Sequence, residues 1–157
     1  MKWPAIRSLH GIGNDTAGTS VIETAVLLPA FLLLFAGLFD FGAGFSEKLK
    51  TQQAAVRGVE LATTAGLEGV TAATIQAEAA AAANVPAAQV TVDMWTECNG
   101  TRLTDPNGVC ATNVQTARWI SVHITNSYHP ILGSLLPASI ASDGVIHYVG
   151  EAVVRQQ

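Results

Sequence analysis

A chain of 157 residues is long enough for one domain of ordinary size with an appendage, and too short for two full cores and a linker. Hydrophobic residues make up 49% and charged residues only 13%, which excludes a disordered polymer and points toward a membrane. The net charge of −4 has the wrong sign for tracking a phosphate backbone, so nucleic acid is not an expected partner, and two cysteines supply neither a disulfide-dense scaffold nor a four-cysteine zinc site.

The first 18 residues, MKWPAIRSLHGIGNDTAG, set Lys2 and Arg7 against Asp15 and show no apolar periodicity. They read as a cytoplasmic leader. From Val21 to Phe45 the sequence is VIETAVLLPAFLLLFAGLFDFGAGF, with Glu23 and Asp40 its only charges. The 16 uncharged residues between them, Thr24 to Phe39, rise about 24 Å as a helix, against a hydrocarbon core of roughly 30 Å. Each acid can then lie near one membrane face. The competing reading, a buried core helix, asks a small domain to cover a helix that is apolar on every side. The positive-inside rule puts the basic start in the cytoplasm, although Lys48, Lys50 and Arg57 beyond the span weaken the asymmetry.

Phe45, Leu49, Val56 and Val59 continue at helical spacing, which predicts one helix from about Thr19 to Ala65 with an amphipathic extension. Gly66 and Gly69 interrupt it, Thr71 is placed to cap a second helix through the alanine-rich ATIQAEAAAAAN, and Pro86 ends that helix. Three strands follow, at Val90 to Cys98, Arg118 to Tyr128 and Gly144 to Val154. In the second, Ile120, Val122 and Ile124 alternate with Trp119, Ser121, His123 and Thr125, so its aliphatic face needs a cover that only the two helices can supply. The expected fold is α+β: a long amino-terminal transmembrane helix, a second alanine-rich helix, and a small antiparallel sheet of about three strands. Cys98 and Cys110 flank 11 residues containing the turn formers Asn99-Gly100 and Asp105-Pro106-Asn107-Gly108. They suit a disulfide-closed loop outside the cytosol, with two free thiols as the alternative.

A charged side chain near the membrane centre costs about 2.5–3.5 kcal/mol on insertion scales, so Glu23 needs either a snorkelling route to the headgroups or a partner. Cleavage of the Gly18–Thr19 bond would supply one, by placing a new amino terminus at Thr19 one helical turn away. Pro29 removes a backbone donor inside the span and predicts a bend. Asp40 has no second ionisable residue beside it at membrane depth and reads as an interfacial acid. Ala36, Gly37, Gly42, Ala43 and Gly44 offer small surfaces for a partner helix, or are neutral. Histidines 10, 123, 129 and 147 have no metal-ligand spacing, though His123 and His147 on separate strands could meet. No nucleophile elbow or phosphate-binding loop appears, so neither an enzyme nor a cofactor is expected.

Gly18-Thr-Ser-Val-Ile-Glu23 followed by a long apolar helix resembles the class III signal of type IV pilins and pseudopilins. The chain is most similar to the TadE-like pseudopilins of the tight-adherence (Flp) pilus system. The elements that carry the resemblance are Val21-Ile22-Glu23, Leu28-Pro29, Gly37-Leu38-Phe39-Asp40-Phe41-Gly42 and the Gln- and Ala-rich Gln52 to Gly58, in order over about residues 17–62. The connector Tyr128-His-Pro-Ile-Leu-Gly-Ser-Leu-Leu-Pro137 and a last strand ending in Ala152-Val-Val-Arg155 look similar as well. Two positions depart from the processed members: Thr24 stands where an aromatic residue is common, and Ala17 where a basic one is.

The resemblance implies a pilin-like fold, cleavage after Gly18 by a prepilin peptidase, and Glu23 as the charge-pairing residue among packed helices. It also implies a leader at 1–18, a transmembrane part at 19–45 and an extracytoplasmic α+β domain at 46–157. The implied place is the bacterial cytoplasmic membrane, with the carboxy-terminal domain outside and other pilins, pseudopilins and assembly-platform proteins as partners. Two rivals remain: an uncleaved membrane anchor with a partner-binding outer domain, and a Sec-secreted domain cut near Phe45.

Overall fold

The computed structural model describes residues 19–65, 70–105, 107–141 and 143–156. The expected leader and the interrupting glycines Gly66 and Gly69 lie outside them. Helix α1 runs Thr19–Ala65 and α2 runs Ala72–Ala83; strands β1 Val90–Cys98, β2 Thr101–Arg102, β3 Thr116–Tyr128 and β4 Ile146–Gln156 follow. The chain divides into two compact units, the first ending at Phe39 and the second running from Asp40 to Gln157.

In the first unit the described residues form the opening of α1. The second unit is an α+β layer. Its sheet is antiparallel in the order β2-β1-β3-β4, with Val90 opposite Ile124 on β3 and Arg118 opposite Gln156 on β4. The expected three strands become four because β2 is only two residues long, too short for any periodicity to betray it. Asn99 and Gly100 both take positive φ, 50° and 80°, and this Asn-Gly turn folds β2 back onto the end of β1.

The core lies between the helices and one sheet face. Ile120, Val122 and Ile124 of β3 and Val90 of β1 are buried against Ala54, Ala55, Val59 and Ala62 of α1 and against Ile75, Ala79, Ala80 and Ala83 of α2. The buried face of α1 differs from the expected stripe. Only Val59 of that set is buried, while Phe45, Leu49 and Val56 are exposed. The face that packs is made of Gly44, Thr51, Ala54, Ala55, Gly58, Val59 and Ala62. The cause is distance: a Cβ on Gly58 would meet Ala79, Val122 and Ile75 at 3.2–3.4 Å, and one on Gly150 of β4 would stand 2.5 Å from the Thr51 carbonyl oxygen. Helix and sheet approach so closely that small residues are selected over large ones.

Helix α2 is stopped at both ends by local chemistry. The Thr71 side chain accepts from the Thr74 backbone N–H at 3.2 Å, satisfying one of the orphan donors of the first turn. At the other end Asn84 adopts the left-handed conformation, and Val85 N–H reaches back to the Ala80 carbonyl at 3.0 Å. The Gln76 amide then donates to the carbonyls of Ala87 and Val90, fixing α2 to the start of β1.

Replacing Gly150 by Val should overpack the α1–β4 contact and destabilise the second unit by about 1–3 kcal/mol. The matched change Gly42→Ala, where an added Cβ meets nothing within 4 Å, should leave stability unchanged or raised. Denaturant melts of the detergent-solubilised protein would read both.

Candidate functional site: the amino-terminal helix and its clamp

Every side chain from Val21 to Phe35 is exposed, as are Leu38 and Phe39. An 18-residue window here has a mean hydropathy of 2.2 and no residue buried within the protein. A core helix would be covered by its own domain, so the reading of this segment as a buried core helix fails. What remains is a helix long and apolar enough to cross a membrane.

Along this segment Thr19 opens α1 and Glu23 stands one turn later, exposed. Gly18, the other half of the expected processing bond, lies outside the described residues. Pro29 sits within a helix that continues through it without a break. Its missing N–H leaves the Ala25 carbonyl without the usual intrahelical donor.

Asp40 closes the uncharged run and is buried in the second unit. Its carboxylate accepts three hydrogen bonds: Oδ1 from the Ile131 N–H at 2.8 Å and the Tyr128 hydroxyl at 3.2 Å, and Oδ2 from the Leu132 N–H at 2.8 Å. Burial and the adjacent Asp40 carboxylate hold the Tyr128 phenol above its ordinary pKa, so it stays a donor. Asp40 is thus the acceptor that ties the β3–β4 connector to α1. No local sequence signal announces this contact, because its donors lie 88 to 92 positions away in the chain. One turn on, Gly44 faces the Tyr148 hydroxyl and the Tyr128 ring. Of the small residues singled out for a partner helix, Gly44 is therefore consumed inside its own domain, while Gly42 stays open.

Three further polar contacts bind α1 to the sheet. Asn126 donates to the buried Thr51 hydroxyl, which in turn donates to the Glu47 carbonyl. The Gln52 amide donates to the Glu151 carbonyl at 2.7 Å and accepts from the Glu151 N–H at 3.3 Å. That bidentate contact occupies part of the open edge of β4. Gln156 donates to the Ala62 carbonyl.

The opposite sheet face carries a second cluster. Trp95 and Trp119, directly opposed on β1 and β3, stack at 6.0 Å between centroids. Both indole N–H groups donate to Glu97, one to each carboxylate oxygen, at 2.9 Å. Arg102 lies 4.7 Å from the centre of the Trp95 ring and pairs with Asp93. The alternation Asp93-x-Trp95-x-Glu97 carried this cluster in the sequence, but only the register reveals that Trp119 shares its acid. Cys98 and Cys110 are joined in a disulfide with their Cα atoms 5.7 Å apart, closing the loop beside it. His123 and His147 do not meet. The register sets His123 opposite Glu151 and His147 opposite Ser127, and His147 instead bonds Asp143.

A helix long and apolar enough to cross a membrane, continuous with the helix of a small α+β unit, fits a single-pass membrane protein. Within that class, residues 18–60 match the model of the family described as TadE-like protein. The matched segment is the greater part of α1, and over it the chain is similar to TadE-like proteins. No curated protein and no solved structure matches it.

Replacing Asp40 by Asn keeps one acceptor oxygen but turns the other into an amide donor facing an N–H. Hydrogen exchange should then show lost protection at the Ile131 and Leu132 amides, with the Ile120 and Val122 amides of β3 unchanged. The double change Cys98→Ser, Cys110→Ser should cost about 3 kcal/mol, the chain-entropy value for a loop of similar length; denaturant unfolding under non-reducing conditions reads it directly.

Proposed function

We propose that this protein is a minor pilin or pseudopilin of a tight-adherence pilus or a related secretion apparatus, a structural or assembly component rather than an enzyme. It would reside in the bacterial cytoplasmic membrane with the α+β unit outside the cytoplasm. The observation that carries the reading is a coincidence on one helix. The family match spans 18–60, and within it the apolar side chains from Val21 to Phe35 are left exposed among the described residues. A helix of this kind is a packing rod whose partners are lipid, other pilins and pseudopilins, and proteins of the assembly platform.

Cleavage after Gly18 by a prepilin peptidase would create an amino terminus at Thr19, one turn from Glu23. An amine and a carboxylate buried among packed helices are each costly when unpaired, so their pairing would favour one axial register between neighbours. The chemistry of the outer unit supports a structural role. Glu97 is committed to two indoles and Asp40 to the connector, which leaves those carboxylates holding the fold. A second reading, an uncleaved anchor bearing a partner-binding domain, is favoured by Ala17 and Thr24, which depart from the processed pattern.

Intact mass and amino-terminal sequencing of the membrane-extracted protein, with and without a co-expressed prepilin peptidase, separate the readings. Loss of residues 1–18, leaving Thr19, is the expected result, and Glu23→Ala should then abolish incorporation into the assembly. A retained Met1 selects the anchor, and a new terminus near Phe45 overturns both.

A further inference from the structure

The connector between β3 and β4 is unusual for a surface loop. From Pro130 to Ser142 it contains no charged residue, and Ile131, Leu135 and Ile140 are 70%, 70% and 57% exposed. Its backbone is folded on itself through short turns, with Leu135 N–H bonded to the Leu132 carbonyl and Ile140 N–H to the Pro137 carbonyl at 2.9 and 2.8 Å. A Cβ on Gly133 would collide with the Gly144 carbonyl, so the two ends of the connector are in close contact. The loop is thus a closed apolar knob with much of its backbone bonded internally, which lowers the cost of taking it out of bulk water to the edge of a bilayer.

Its position is fixed by Asp40, the residue that ends the uncharged run of α1, through the Ile131 and Leu132 amides. Gly44, which the Tyr128 ring and the Tyr148 hydroxyl face, lies about 6 Å further along the helix at 1.5 Å per residue. The ion pair Lys50–Glu47 comes next. Along the sequence of α1 the uncharged run ends at Asp40, which binds the apolar loop, and Gly44 at the tyrosines and the Glu47–Lys50 pair follow, an order that suits a bilayer interface.

We propose that residues 130–141 form a membrane-interfacial loop, seated at the headgroup–acyl boundary of the leaflet from which α1 emerges. The occupant of this apolar surface is lipid, because its exposed side chains form a knob rather than a groove shaped for a strand or helix, and the loop is tied to Asp40, the residue that follows the uncharged run in sequence. The proposal rests on the reading of the first half of α1 as membrane-spanning.

The test uses the full chain in phosphatidylethanolamine–phosphatidylglycerol vesicles. Ile131→Cys and Leu135→Cys would each carry an environment-sensitive fluorophore, since the native cysteines are bonded to each other. Phe31→Cys reports the span, and Val109→Cys, on the disulfide loop and 88% exposed, reports water. Labels at 131 and 135 should be blue-shifted and quenched by lipid brominated near the headgroup, while the label at 109 is quenched only by aqueous iodide. Iodide quenching at 131 and 135 with lipid quenching at 31 overturns the interfacial loop and leaves the span standing. Iodide quenching at 31 overturns the span and the loop with it. Labels at 131 and 135 shielded from both quenchers would show protein cover and would also overturn the proposal.

Discussion

The second unit depends on how closely one helix can approach one sheet. At Thr51 the backbone of α1 lies so near Gly150 of β4 that no side chain fits between them, and that separation dictates the residues on both sides. Alanine, glycine and threonine at 44, 51, 54, 55, 58 and 62 give α1 a flat face. Alanines at 79, 80 and 83 do the same for α2. The sheet supplies the bulk, with Ile120, Val122 and Ile124 filling the layer. Volume is thus divided unequally, small residues on the helices and β-branched ones on the strands, which suits helix propensity on one side and strand propensity on the other.

Close approach also removes water from polar groups, and the contacts that replace it hold the orientation. Thr51 is buried, yet its hydroxyl both donates to its own helix and accepts from Asn126. Gln52 does for Glu151 what a neighbouring strand would do, offering an amide donor and acceptor to one residue of an edge. A long edge strand is a template for unwanted pairing, and here the same helix that packs on the sheet partly blocks its edge. Asp40 works at the other end of the buried helix face, exchanging the hydration of a carboxylate for two backbone donors and a phenol.

Much of this architecture was legible in the sequence because it rests on local signals. Thr71 and Pro86 bracket α2 since caps and breakers act within a turn, and the alternation in β3 marks its buried face because a strand has period two. The misreading of α1 has an equally plain cause. Phe45, Leu49 and Val56 recur at helical spacing and so mark an apolar face, but burial here is limited by space and these large residues are left on the exposed side. β2 escaped notice because two residues carry no period. The shared acceptor at Glu97 and the clamp at Asp40 both join groups far apart in sequence, Trp119 and Glu97 by 22 positions and Asp40 and Ile131 by 91. Nothing in either local segment specifies such a pairing: the β1–β3 register brings Trp119 to Glu97, and the packing of α1 against the β3–β4 connector brings Asp40 to Ile131.

The consequence is that α1 has two faces with different histories beyond Asp40. One is committed to the sheet by small residues and by Thr51. The other keeps Phe41, Phe45, Leu49 and Val56, spaced at roughly one and two turns, outside the domain's own core. Had those residues been the inward stripe, their volume would have forced helix and sheet apart, lost the Gly150 contact and broken the geometry by which Gln52 reaches Glu151. The small-residue face therefore does more than pack the domain. By satisfying the sheet with minimal volume, it leaves the larger apolar side chains of the same helix outside the fold.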